Sequence, residues 1–233
     1  VRTHLLPALL ATGLLVGGCT GSGSSSDDGG EPAGDDLTPR LVAAKTALDD
    51  AETISIDLAT KRIPDGITGL LSAKGKGNHS PAFTGQVTVI TGGASLAAEV
   101  IATGGKVYAK TGFLPDFTPI DPASLKAPDP ASLLATDGGI SQILVKTKGL
   151  RQDGQSRDGK DVLTTIKGTL PGSVVKAIIP SADAGTSFAV TYRLDDDHLR
   201  DATLTGPFYP GGADVTYTVT LETSDTPVTI EAP

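Results

Sequence analysis

The chain has 233 residues with 27 acidic against 19 basic side chains, a formal net charge of −8, a single cysteine and no tryptophan. No Lys/Arg cluster stands anywhere in it, which argues against a nucleic-acid binder and against electrostatic docking on anionic lipid. A lone cysteine forms no intrachain disulfide, so stability must come from packing and strand pairing.

The chain opens on Arg2 and His4, followed by an apolar run from Leu5 to Val16 and two small residues, Gly17 and Gly18, before Cys19. That is the pattern of a secretory signal peptide. The run is about 12 residues, short of the roughly 20 needed to span a bilayer. Leu14-Leu15-Val16-Gly17-Gly18-Cys19 matches the lipobox of bacterial prolipoproteins, whose thiol accepts diacylglycerol and whose cleavage leaves the cysteine as the new N-terminus. The alternative is a free or buried cysteine behind an ordinary signal peptide. On the lipobox reading, residues 1–18 are the signal, Cys19 is the lipidation site and residues 19–36 are a tether. The protein is then anchored by palmitate-type acyl chains to the outer face of the cell membrane, since two chains suffice for stable anchoring.

Thr20 to Asp36 is dominated by Gly, Ser and Asp with no apolar period, the composition of a flexible linker. Residues 37–233 form one domain, large enough for a real core. Thr38 is the expected N-cap of a first helix, with Pro39 in its first turn, Leu37 and Val42 as a hydrophobic staple, and Leu41, Ala44, Leu48 and Ala51 as its buried stripe. The period then switches to two. Thr53–Thr60 alternates Ile54, Ile56 and Leu58 against polar residues. Phe83–Ile90 does the same with Phe83, Val87 and Val89. Gly92-Gly93 leads into Ser95–Ala102, where Leu96, Ala98 and Val100 share a face, and Gly104-Gly105 leads into Lys106–Lys110. Glycine pairs at this spacing predict a meander.

The proline-rich segment Leu114–Pro130 reads as a crossing connection rather than sheet. Short helices are expected at Asp129–Ala135 and Gly139–Val145, and a strand at Val162–Lys167. A compact helix follows, with Val174, Val175, Ile178 and Ile179 on one stripe and Pro180 ending it. Strands at Phe188–Leu194, around Ala202 and Leu204, and at Val215–Leu221 complete the sheet, with Val228 and Ile230 as an edge strand. Nine or ten strands cover roughly 900 Å² per face. The expected helices cover about 540 Å². Curvature, loops, barrel closure or a ligand must make up the difference.

Catalytic constellations are missing. There is no Gly-x-Ser-x-Gly elbow, no His-Glu-x-x-His and no phosphate loop, so the chain does not read as an enzyme and implies no cofactor or metal. Asp195-Asp196-Asp197-His198 reads as a polar hairpin tip, Asp153-Gly154 and Asp158-Gly159 as turns, and Asn78-His79-Ser80 as a loop.

Asp129-Pro130-Ala131-Ser132-Leu133-Leu134-Ala135-Thr136-Asp137-Gly138-Gly139-Ile140 resembles the Asp-Pro-x-x-x-Leu-x-x-x-x-Gly-Leu segment of the LppX/LprA/LprF/LprG lipoproteins of the actinobacterial cell envelope. Thr84-Gly85-Gln86-Val87, Gly105-Lys106-Val107-Tyr108-Ala109, Asp116-Phe117, Asp158-Gly159 and Ile166-Lys167-Gly168-Thr169 support it in order and spacing. The chain departs from that family where relatives place tryptophans, here Tyr192 and the Ser224-Asp225-Thr226 stretch.

The resemblance implies an α+β half-barrel, a curved antiparallel sheet wrapped around short helices, with an apolar cavity between them. It implies that the cavity takes acyl chains of diacylated or triacylated envelope lipids or lipoglycans as cargo, and that the protein carries them between membranes, as a monomer, in some relatives beside a membrane transporter. The cavity wall would comprise Val87, Phe83, Val89, Leu96, Ala98 and Val100, with Ile54, Ile56 and Leu58 on the neighbouring strand. The alternative is a structural or adaptor lipoprotein of the envelope with a closed core and no lipid cargo.

Overall fold

The computed structural model describes residues 36–112, 115–125 and 127–233. Cys19, the signal segment and nearly all of the tether lie outside the described residues.

Helix α1 spans Thr38–Asp49 and buries Leu41, Ala44 and Leu48, with Ala51 buried just beyond it, as their spacing requires. Its start differs from expectation. Leu37, not Thr38, is the N-cap and makes no side-chain capping bond; Asp36 before it accepts the Thr38 N–H at 3.0 Å, and hydrogen bonding from the Thr38 hydroxyl and N–H holds its carboxyl below its ordinary range. Val42 is 45% exposed while Leu37 is buried, so the two form no staple.

Among the described residues eleven antiparallel strands form one sheet. β1 (Thr53–Thr60), β2 (Gly69–Asn78), β3 (Ala82–Thr91), β4 (Ala94–Thr103), β5 (Lys106–Thr111) and β6 (Thr118–Ile120) run outward from the centre in chain order. From the opposite edge, β7 (Lys148–Asp158), β8 (Asp161–Pro171), β9 (Ser187–Asp195), β10 (His198–Gly206) and β11 (Val215–Ser224) run back inward. β11 pairs with β1, so the first and last strands lie side by side at the middle. β6 and β7 are the two edges, and the sheet is not closed. The chain must therefore cross the whole sheet between them. It does so in residues 121–147, through one-turn 3₁₀ segments at Pro122–Leu125 and Ser132–Leu134 and the short helix α2 (Gln142–Lys146). α3 (Gly172–Ile178) packs on β8 and β9, while α1 packs on β10 and α2.

The expected meander is β3–β4–β5. β2, β6 and β7 are strands that the sequence does not announce, and the edge strand expected at Val228 and Ile230 does not form, which together turn nine strands into eleven. In β2 the alternation is hidden because Gly75 and Gly77 stand where inward side chains would, and a bulge between Leu70 and Ser72 breaks the period. β7 is an edge strand exposed along nearly its whole length, so nothing selects an apolar face; Asp153-Gly154 is an interruption within it rather than its boundary, with Gly154 at φ 89° inside the register shift between Gln152 and Gln155. The helix expected at Asp129–Ala135 is only the Ser132–Leu134 turn, and that at Gly139–Val145 is α2. The crossing segment contributes one three-residue strand, β6, across its proline at 119. Val228 and Ile230 belong to no strand; the segment is held instead by Thr53 donating to the Thr226 carbonyl and Asn78 donating to that of Val228.

Candidate functional site

Residues paired across an antiparallel ladder share a face of the sheet. The register therefore sorts the nine expected wall residues without ambiguity. One row runs Ile54, Gly77, Phe83, Ala102 and Val107 across β1 to β5. The next runs Ile56, Gly75, Gly85, Val100 and Ala109. A third runs Leu58, Ala73, Val87, Ala98 and Thr111, and beyond it Val89 stands opposite Leu96. All nine lie on one face, which β11 extends with Leu221 beside Ile56 and Val219 beside Leu58. The rows from Ile54 to Leu96 contain no ionisable side chain.

Burial falls away along these rows. Ile54, Phe83 and Val100 are 3–4% exposed and belong to the core, whereas Ile56, Leu58, Val87, Val89, Leu96 and Ala98 are half-buried. The reason is where the helical layer sits. It packs chiefly on β8, β9 and β10, with the Ser132–Leu134 turn reaching β3. His79, in the β2–β3 turn, fastens that turn and α1 to the sheet: one ring nitrogen lies 3.0 Å from the Leu48 carbonyl and the other contacts that of Leu134. Among the described residues the expected wall is thus a half-buried apolar surface rather than an enclosed cavity.

Hydroxyls bound this surface at one end. Tyr217 follows Val219 on the same face of β11, opposite Thr60. Its hydroxyl donates to the Leu70 carbonyl, Tyr209 Oη lies 2.6 Å away, and the Leu70 N–H donates to Tyr209 at 3.0 Å. Burial, reinforced by Tyr209, pushes the Tyr217 hydroxyl far above the ordinary tyrosine range. Sequence reading missed this pair and the Leu70–Leu71 bulge it grips, because no local period marks a contact between residues so far apart in the chain. Tyr192, where relatives were expected to carry tryptophan, is fully buried and hydrogen-bonded to Thr147 at 2.7 Å, tying β9 to the end of α2.

Among the described residues, hollows elsewhere include two of note. One of about 390 Å³ lies between α2 and α3 beside Gln142 and Val174. The other, of about 800 Å³, lies on the opposite face of β1–β4 and β11. The Asp195–His198 stretch is the expected hairpin tip, with Asp196 at φ 51°. Among the described residues no helix is long and apolar enough to cross a membrane.

A family model described as LppX_LprAFG lipoprotein matches residues 37–231. The solved structure of LprF from Mycobacterium bovis is similar at 18% identity with a TM-score of 0.68, over 84% of this chain and 96% of that one. That of the lipoprotein LppX from Mycobacterium tuberculosis is similar at 18% identity with a TM-score of 0.59, over 84% and 98%. These likenesses establish the large open antiparallel sheet with few helices as a shared fold. No curated protein matches the sequence.

Proposed function

The chain belongs to the LppX/LprAFG lipoprotein family, and on that premise we propose that it is a membrane-anchored carrier that holds acyl chains of envelope lipids or lipoglycans against the helix-side face of β1–β4. The observation that carries this reading is the continuous patch of Ile56, Leu58, Val87, Val89, Leu96 and Ala98: apolar, on one face, and only half covered by the protein itself. Acyl chains complete that cover. The sheet curls over them, and the helical layer, fastened at His79, forms the other wall.

A diacyl lipid with about 30 methylenes would lose some 24 kcal/mol if its chains were exposed to water, so a carrier must shield nearly all of them. A site without charge achieves this at little cost, and its similarity to the bilayer interior permits release as well as capture. The reaction is transfer rather than covalent chemistry: Cys19 anchors the protein at the outer face of the membrane and the cargo is exchanged between membranes.

The test is extraction of the full chain purified from its own envelope. Organic solvent removes bound lipid and leaves a covalently attached anchor on the protein. Stoichiometric extractable acyl lipid, reduced severalfold in Val87→Trp and Ala98→Trp, supports the carrier. Lipid-free protein, or lipid unchanged in both variants, supports instead an adaptor whose apolar face is only core.

A further inference from the structure

The hollow of about 800 Å³ on the face opposite the helices has a built lining. Two neighbouring ladder rows cross five strands there. The first carries Glu99, Gln86, Lys74, Asp57 and Thr220 on β4, β3, β2, β1 and β11. The second carries Ile101, Thr84, Lys76, Ser55 and Glu222 on the same strands. All ten side chains line the hollow, together with Ile56, Gly75, Gly85 and Val100 of the row between them and Phe117 from the connection between β5 and β6. From the geometry we infer that this trough is a second binding site, for a neutral glycan chain, independent of the apolar face.

The chemistry of the rows selects that class. Lys74 and Lys76 stand against Asp57, Glu99 and Glu222, so the trough is nearly balanced and recruits neither a polyanion nor a polycation. Lys74 is committed to Asp57 at 2.9 Å, which raises its affinity for its proton. Among the described residues Lys76, Glu99 and Glu222 make no ion pair. They and the Gln86 amide offer donors and acceptors in alternation, the requirement for recognising hydroxyl groups, each of which both donates and accepts.

One end of the trough is different. Ile101 and Phe117 line it, and Tyr108 pairs with Ile101 on β5. An apolar wall beside a polar floor suits the C–H face of a sugar ring. Five strands span roughly 19 Å, so the site accepts an oligosaccharide rather than a single sugar, and its volume is that of ordinary ligand pockets, about 300 to 1,000 Å³.

The test uses the full chain in a sugar-free detergent, immobilised and exposed to linear hexamers of glucose, mannose, galactose, arabinose and N-acetylglucosamine, with dextran sulfate as the polyanion. The expected result is saturable binding of at least one neutral hexamer, about tenfold weaker in Gln86→Ala and in Glu99→Ala. It is unchanged in Thr205→Ala, on the same face outside the trough, and in Val87→Trp, on the other face. Circular dichroism of each variant establishes that a loss is not unfolding. No hexamer binding, binding unaffected by Gln86→Ala and Glu99→Ala, or dextran sulfate binding in preference to every hexamer would overturn the inference. The Val87→Trp arm separates this site from the lipid carrier, since each can fail while the other holds.

Discussion

The ring of Phe83 occupies the space that a side chain at Gly75 would need: a Cβ there would lie 2.5 Å from Cζ of Phe83, and one at Gly85 2.8 Å from the same atom. Two strands thus give up side chains on their inner face where that ring sits, with the Thr84 and Lys74 carbonyls closer still to the two added Cβ positions. Gly77 does the same for Leu134, whose Cδ1 would be 2.2 Å from an added Cβ. This is how the Ser132–Leu134 turn reaches the sheet.

Gly75→Ala is expected to destabilise the protein by about 1 to 3 kcal/mol through overpacking against Phe83 and the Thr84 carbonyl. Phe83→Ala should cost about 3 to 5 kcal/mol through loss of buried area and the cavity left behind. Urea unfolding of each variant measures both. In the double variant the two effects should not add, because each acts on the same small volume.

His79→Ala removes the contacts to the Leu48 and Leu134 carbonyls and leaves both acceptors without that partner, at an expected cost of about 1 to 3 kcal/mol. Amide exchange should speed up first in Ser132–Leu134 and at the end of α1. Uniform acceleration across the sheet would mean that the histidine is not a local fastening.

This contact also marks where sequence reading stops. The rows of the apolar face follow from alternation in β1, β3 and β4, and each of the nine residues proposed as a lipid-facing wall lies on the face that alternation assigns. Alternation carries no information about cover: Phe83 and Val87 stand two apart on one strand, yet one is core and the other half-buried, because a turn some 50 residues away sits over the first. β2 was invisible for the converse reason, since its inner face is partly glycine and its signal lies in the ring and methyl groups that fill the gaps. The outer trough could not be read either, because polar residues on a solvated strand face look alike until the register sets them in rows.

Alkaline pH should destabilise the fold. Burial raises the hydroxyls of Tyr192 and Tyr217 above their ordinary value of 10.0, so the folded state keeps protons that the unfolded chain loses. Their contribution is therefore complete below about pH 10 and is lost progressively as pH rises above it. Urea midpoints between pH 8 and 11 should fall in the alkaline range, and the fall should be shallower in Tyr192→Phe/Tyr217→Phe, even though that variant is less stable at neutral pH. Equal slopes would show that these hydroxyls are not the groups responsible.

Acyl chains that lie against one face of the sheet meet only one of two neighbouring side chains on a strand. Val87 and Thr88 are adjacent on β3 and point to opposite faces, Val87 beside Ala73 and Ala98, Thr88 beside Ser72 and Ala97. Replacing each in turn by the photoreactive p-benzoylphenylalanine, in the full chain in its own membrane with radiolabelled fatty acids, and counting the label in the isolated β3 peptide, away from any acyl group on Cys19, tests this at a single site. Labelled lipid is expected cross-linked at position 87 and little or none at 88. Equal labelling at both positions, or labelling at 88 alone, would contradict it.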